Sequence, residues 1–203
     1  MKTKFKAQNT GSGQIFNNPV LEKLTRTHIA APIAAFTLVS AYVIYKGVSA
    51  HGLQGWQILA LFVGGYFAFT LVEYLMHRFL FHMDESTETR KRVVYTMHGV
   101  HHDHPRDKDR LAMPVPLSLA IAFVFFLLFR LLMGDLVFGF LPGFLMGYAI
   151  YLGIHYMVHA IQPPKNFFKI LWVHHGIHHY KQQERAFGVS TPFWDHVFRT
   201  MPK

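Results

Sequence analysis

The stretch "HGVHHDHPRDKDRL", His98–Leu111, places four histidines within seven positions and then runs into a charged loop. A solvated loop has no use for so many imidazoles, and a packed core would have to satisfy every ring nitrogen. What the stretch means depends on the chain around it. On either side lie apolar runs, roughly Ile29–Ile44 and Ile58–Met76 before it and Leu117–Met133 and Leu136–Tyr156 after it. Each approaches the ~20 apolar residues that cross a bilayer core, and packed membrane helices tolerate the Gly and Pro that interrupt some of them. The sequence therefore predicts an all-α integral membrane fold. Four transmembrane helices form two hairpins, turned near Lys46–Gly55 and at Gly134, and His98–Leu111 belongs to a histidine-rich cap between them. The first run resembles a signal peptide only in isolation, because a polar segment precedes it and three more spans follow.

Composition agrees. Of 203 residues 51% are hydrophobic and 15% charged, and there is no cysteine, which excludes disulfides and thiolate-bound metal. The formal charge of +9 would suit nucleic acid, but its placement argues otherwise. With four spans both termini share one side, and all of the 20 Lys and Arg residues except Lys46 and Arg130 fall there, Lys2, Lys4 and Lys6 among them. By the positive-inside rule that side is cytoplasmic. The basic excess then reads as topology and anionic headgroup contact, and no nucleic-acid motif accompanies it. Two units follow: residues 1–28, a cytoplasmic N-terminal segment with a possible short helix in "NPVLEKLTRTH", and residues 29–203, the membrane-embedded domain.

The histidines fall at the cytoplasmic ends of the spans: His77 and His82; His98, His101 and His102; His155 and His159; and His174, His175, His178 and His179. Residues three or four apart share a helix face, so His98/His101/His102, His155/His159 and His175/His178/His179 each project together. His77 and His82, five apart, do not converge on an ideal helix, and the helix is expected to end or bend there. A single histidine on an apolar face is ordinarily a satisfied core residue, but ten in these spacings point to a transition-metal site. Ten ligands exceed one ion, so two metals are implied. Adjacent helical residues diverge by ~100°, which separates His101 from His102 and His178 from His179. One metal is therefore assigned His77, His82, His98, His102 and His178, and the other His101, His155, His159, His175 and His179. His28, His51 and His196 read as ordinary residues. Ligating imidazoles need their outer N–H fixed. Glu73, Asp103, Asp107, Asp109 and Asp195 are candidates, and His104 and His174 are either spare ligands or members of that outer layer.

The segments "EYLMHRFLFH", "MHGVHHDHPRDKDRLAMP", "HYMVH" and "HHGIHHYKQQERAFGVSTPFWDHVF" together resemble the fatty acid hydroxylase/sterol desaturase superfamily over about residues 73–198. The run "HHDHPRDKDRL" with Pro114 and Pro116 is similar to its fatty acid 2-hydroxylase branch, although Val115 splits two prolines that are adjacent in the family. The resemblance implies a non-haem di-iron monooxygenase, in which O2 and two external electrons hydroxylate C2 of a fatty acyl chain, free or in sphingolipid. Zinc would replace iron in isolated protein without supporting the redox chemistry. The cytochrome b5 domain fused to many family members is not in this sequence, so the expected donor is a separate cytochrome b5-like or ferredoxin-like protein. The expected location is the bacterial inner membrane or the endoplasmic reticulum.

A sterol or carotenoid desaturase or hydroxylase would share the histidines, and the loop from His101 to Pro116 favours the acyl reading. A metal carrier would place ionisable groups near the bilayer midplane, whereas these gather at one face. Tyr66, Phe67, Tyr148 and Tyr151 read as an acyl tunnel or as ordinary packing. "FGVSTPFWDHVF" reads as a loop closing over the substrate headgroup. Arg106, Lys108 and Arg110 read as an anion grip or, more simply, as topology-setting charge.

Overall fold

A computed structural model describes residues 7–203; Lys2, Lys4 and Lys6, which entered the charge argument, lie outside the described residues. The described residues are all-α with no strand. α1 (Pro19–Leu24) begins where the Asn18 side chain accepts hydrogen bonds from Val20 and Leu21 N–H at 2.9 and 3.2 Å, with Pro19 at the first helical position. α2 (Ala30–His51) ends at Gly52, whose φ of 65° makes the left-handed turn at no steric cost. α3 (Gly55–Leu75) continues directly into a π-helix, Met76–Phe81. α4 (Glu88–Val94), a second π-helix (Tyr95–Gly99) and α5 (Val100–Asp103) form one continuous winding. α6 (Val115–Met133) and α7 (Val137–Ala160) are joined through Gly134. α8 (Lys169–Tyr180) and α9 (Phe193–Val197) complete the chain.

Among the described residues three helical stretches are long and apolar enough to cross a membrane: Ala30–His51, Gly55–Phe81 and the 53-residue Lys108–Ala160. The third holds two α-helices, α6 and α7, where the sequence reading has two spans. Phe129 packs on Phe140 at 5.0 Å between ring centroids, and Phe125 on Phe144 at 4.9 Å, so α7 folds back antiparallel to α6. The helices also outrun the apolar segments. α2 continues to His51 rather than Ile44, and α7 continues past Tyr156 to Ala160, carrying His155 and His159 inside its last turns.

The outer faces of these helices are apolar and exposed, with Leu38, Leu59, Val63, Phe123, Val124, Leu131 and Leu132 all uncovered, while small or polar residues such as Ser40, Gly65 and Thr70 are buried between helices. That inversion is expected of helices packed in lipid, where small residues allow close approach. It is clearest between α3 and α7. Gly139 faces Leu61, Gly143 faces Phe62 and Gly147 faces Phe69, so the two helices run parallel and deliver their histidine ends to the same side. A Cβ on Gly143 would sit 1.9 Å from the Phe62 carbonyl oxygen, and one on Gly65 2.0 Å from that of Phe140. α2 joins antiparallel, Ser40 Oγ donating to the Pro142 carbonyl at 3.3 Å.

The described part of the N-terminal segment, from residue 7, lies on the cap. Gln8 N–H donates to the Asp103 carbonyl at 2.6 Å, Thr27 N–H to that of Asp109 at 2.8 Å, and Tyr180 Oη to Asn9 Oδ1 at 3.0 Å. Arg110 is the hub. Its guanidinium donates to Thr25 Oγ1 at 2.8 Å and Ser12 Oγ at 3.3 Å, and pairs with Glu22 and Asp107. Only 2% of its side chain is exposed, so Arg110 is an internal strut rather than the topology-setting surface charge its sequence context suggests.

Two outcomes test this packing. Gly143→Val removes the α3–α7 approach and abolishes recovery of monodisperse protein in detergent, since no rotamer relieves a clash with backbone. Gly153→Ala, which meets nothing within 4 Å, leaves recovery unchanged. Arg110→Met removes the buried guanidinium from Glu22, which keeps Arg26 and the Ile15 and Phe16 amides, a loss of about 2 kcal/mol for charged hydrogen bonds, and hydrogen exchange across residues 12–25 rises while the membrane helices keep their protection.

Candidate metal centre

Two departures from α-helical winding position the site. From Met76 to Phe81 the chain makes i→i+5 hydrogen bonds, and the wider turn brings His77 and His82 to one face with ring centroids 5.2 Å apart. The sequence reading expects an end or bend there; the helix instead widens before ending at His82. The second π-helix, Tyr95–Gly99, carries His98. His101 and His102 follow on α5, His155 and His159 on α7, and His175, His178 and His179 on α8.

The rings gather in two sets. In His77, His82, His98, His102 and His178 one nitrogen from each ring lies within 4.8 Å of all the others, and the same holds for His101, His155, His159, His175 and His179. These are the two sets that the ~100° divergence of adjacent helical residues separates. In the first, His98 Nε2 lies 3.0 Å from both His77 Nε2 and His102 Nε2, and His178 Nε2 lies 3.0 Å from His82 Nε2 and 3.2 Å from His102 Nε2. In the second, His155 and His101 meet Nε2 to Nε2 at 2.9 Å, as do His159 and His175. The sets adjoin, the His102 ring lying on that of His179 with centroids 4.1 Å apart and planes within 17°.

This donor array fits metal ions. Imidazole nitrogens about 2.1 Å from one ion and at right angles around it stand roughly 3.0 Å apart, the spacing found here. His179 Nε2 is buried with no hydrogen-bond partner, which is costly for a polar atom with no other role. Burial holds His98, His101, His102, His175, His178 and His179 well below the usual histidine range, and neighbouring rings reinforce it. The rings are therefore neutral at physiological pH, the form that binds a metal. An all-imidazole set suits iron, zinc, copper or nickel.

The turn after α8 supports the first set. His77 Nδ1 donates to the Phe187 carbonyl at 2.5 Å and His178 Nδ1 to the Arg185 carbonyl at 2.7 Å, which leaves each Nε2 as the lone-pair nitrogen. Two buried carboxylates hold this turn. Asp195 accepts from Phe187 N–H at 2.9 Å, Gly188 N–H at 2.8 Å, Thr200 Oγ1 at 2.7 Å and His174 Nε2 at 3.0 Å. Burial pushes the Asp195 carboxyl up, but hydrogen bonds from His174, Thr200 and the two amides outweigh it and keep the group ionised. Glu73, one turn before His77, accepts from Val189 and Ser190 N–H at 2.7 and 2.9 Å and from the Ser190 hydroxyl.

Glu73 and Asp195 thus reach the histidines through backbone. His174 joins Asp195 and neither set of five. His104 also lies outside both sets, its ring set against Gly13. The Asp103 carbonyl anchors the N-terminal segment, Asp107 pairs with Arg110, and the Asp109 carbonyl receives Thr27 N–H. "FGVSTPFWDHVF", which reads in sequence as a cover over a headgroup, is largely a brace for histidine rings, with Trp194 Nε1 donating to Thr70 Oγ1 at 3.0 Å. The carbonyls of Arg185 and Phe187 carry no side-chain signal by which sequence could find them.

Comparison with known proteins agrees with this arrangement. Residues 62–200 match the fatty acid hydroxylase family model. A fatty acid 2-hydroxylase of Rattus norvegicus is 41% identical over 148 residues, 70% of this chain and 40% of the relative; the chain thus spans about two fifths of that protein's length. A dihydroceramide fatty acyl 2-hydroxylase of Arabidopsis thaliana is 36% identical over 191 residues, 93% of this chain and 80% of the relative. A solved structure described as full-length scs7p, with only its hydroxylase domain visible, superposes with a TM-score of 0.85 at 34% identity, over 96% of this chain and 74% of that one. With its paired histidine sets and a family match over most of its length, this chain belongs to the fatty acid hydroxylase family.

Proposed function

We propose that this protein is a membrane-bound di-iron monooxygenase that hydroxylates C2 of fatty acyl chains, free or within a ceramide. The observation that carries the reading is the pair of adjoining five-imidazole sets at one end of the apolar bundle, in a chain whose relatives are named as 2-hydroxylases of fatty acids and dihydroceramide. Ten histidines are the metal ligands, five to each iron: His77, His82, His98, His102 and His178 to one, and His101, His155, His159, His175 and His179 to the other. Bound there, two irons would supply O2 activation, for an overall reaction that takes O2, two electrons and two protons, places one oxygen atom in the C2–H bond and releases the other as water.

The chain's own groups supply the rest. Nine of the ten imidazoles are buried, which keeps them neutral and excludes bulk water from the reacting carbon. The Arg185 and Phe187 carbonyls fix two rings in the ligating tautomer. Tyr151 stacks on His155 with centroids 5.4 Å apart and joins the site to the apolar interior that an acyl tail would enter. The division of Lys108–Ala160 at Gly134 supports four crossings. With the basic residues on the histidine side, both termini and the metals are then cytoplasmic. A substrate keeps its polar head at that edge and its tail in lipid. Electrons come from a separate cytochrome b5-like or ferredoxin-like protein, and zinc occupies the sites in preparations where iron is scarce.

The test is mass spectrometry of hydrolysed lipids from a host supplying a compatible donor. Expression of this chain yields 2-hydroxy fatty acids, and His102→Ala lowers them to the level of the untransformed host. No product from iron-loaded protein with a working donor would overturn the acyl reading and favour a sterol or carotenoid substrate.

A further inference from the structure

The two sets of five are unequally supported, and on the dimetal reading above this makes the two metals unequal. In the first set His77 and His178 each have Nδ1 on a main-chain carbonyl, at 2.5 and 2.7 Å. In the second, the Nδ1 atoms of His101, His175 and His179 are buried and meet no hydrogen-bond partner among the described residues. The carbonyls of the first set lie on the turn from Arg185 to Ser190. Its amides at Phe187, Gly188, Val189 and Ser190 are all taken by Asp195 and Glu73. Both carboxylates are buried, at 0% and 8% exposure, so no competing solvent loosens the turn.

We propose that Asp195 and Glu73 are positioning residues that make the His77/His178 site the tightly held metal of the pair, and leave the His101/His179 site the exchangeable one. The support is directional. A carbonyl on Nδ1 fixes the tautomer and ring angle and raises the basicity of the ligating Nε2, and losing such a partner typically weakens metal affinity about 10–100-fold. In the second set His101, His175 and His179 have no such partner among the described residues, although its ligand number and chemistry match the first.

The two carboxylates are separable by substitution. Each Asp195 oxygen accepts a backbone N–H, Oδ1 from Phe187 and Oδ2 from Gly188. In Asp195→Asn the amide NH2 must therefore face a donor whichever way it turns. Glu73 differs, because Oε1 takes both backbone amides while Oε2 takes the Ser190 hydroxyl. Glu73→Gln keeps every contact by donating to Ser190 Oγ, whereas Glu73→Met loses them all.

The experiment uses the full chain in detergent, loaded with zinc and equilibrated against graded EDTA, with zinc counted per chain. The protein is expected to release two zinc ions in two separated steps, and His179→Ala removes the weaker step. Asp195→Asn and Glu73→Met move the tighter step about 10–100-fold toward release, leave the weaker step in place, and Glu73→Gln restores the original profile. If Asp195→Asn does not fold, the Glu73 pair decides the matter. A single release step for both zinc ions, or equal movement of both steps in the variants, would overturn the inference. Fewer than two zinc ions on the unaltered protein would instead overturn the dimetal reading on which it rests.

Discussion

The structure is organised around the cost of burying ten imidazole rings together. Each brings a polar nitrogen into a space closed to water, and neighbouring Nε2 atoms approach to about 3 Å without enough protons to hydrogen-bond them all. A bound cation turns that repulsive array into a favourable one, because each lone pair then faces a charge. The family match and the π-turns make sense against this constraint. Two helices give up regular i→i+4 winding, at Met76–Phe81 and Tyr95–Gly99, to aim His77, His82 and His98 inward.

Bringing four polypeptide segments to one point demands rigid delivery. α3 and α7 supply it by running parallel at nearly backbone-to-backbone distance, an approach that Gly65 and Gly143 permit. Parallel helices end on the same side, so the histidines at their ends meet. The cap is then closed from outside by the N-terminal segment through Arg110 and from beneath by the turn held by Glu73 and Asp195. Both braces run through buried polar groups, and the Glu73–Asp195 brace has every carboxylate oxygen hydrogen-bonded, the condition under which buried polar groups rigidify a site rather than weaken it.

Much of this is legible in the sequence because helical spacing is a geometric code. His155/His159 and His175/His178/His179 share faces by arithmetic alone, and the ~100° step between adjacent residues divides the ten rings as the structure does. What escapes the sequence has no such period. A five-residue interval between His77 and His82 looks like a misfit until the winding changes to π. Gly139, Gly143 and Gly147 look like interruptions of a span, yet they form the stripe on which α3 rests. Arg110 sits in a run of charges and looks solvated, while its partners Ser12, Glu22 and Thr25 are some 85–98 positions away in the chain. The carbonyls that orient His77 and His178 belong to backbone, which every residue has. Hydropathy also ends α2 and α7 too early, at Ile44 and Tyr156, since a less apolar stretch need not end a helix and the winding runs on to His51 and Ala160.

The central claim is that the ten histidines form two nitrogen-only metal sites. Metal counting on the iron-loaded full chain, paired with X-ray absorption at the iron edge, tests it most directly. The account predicts two irons per chain, each surrounded mainly by nitrogen scatterers of imidazole type at about 2.1 Å. One iron per chain, or a first coordination sphere without imidazole scattering, would contradict it.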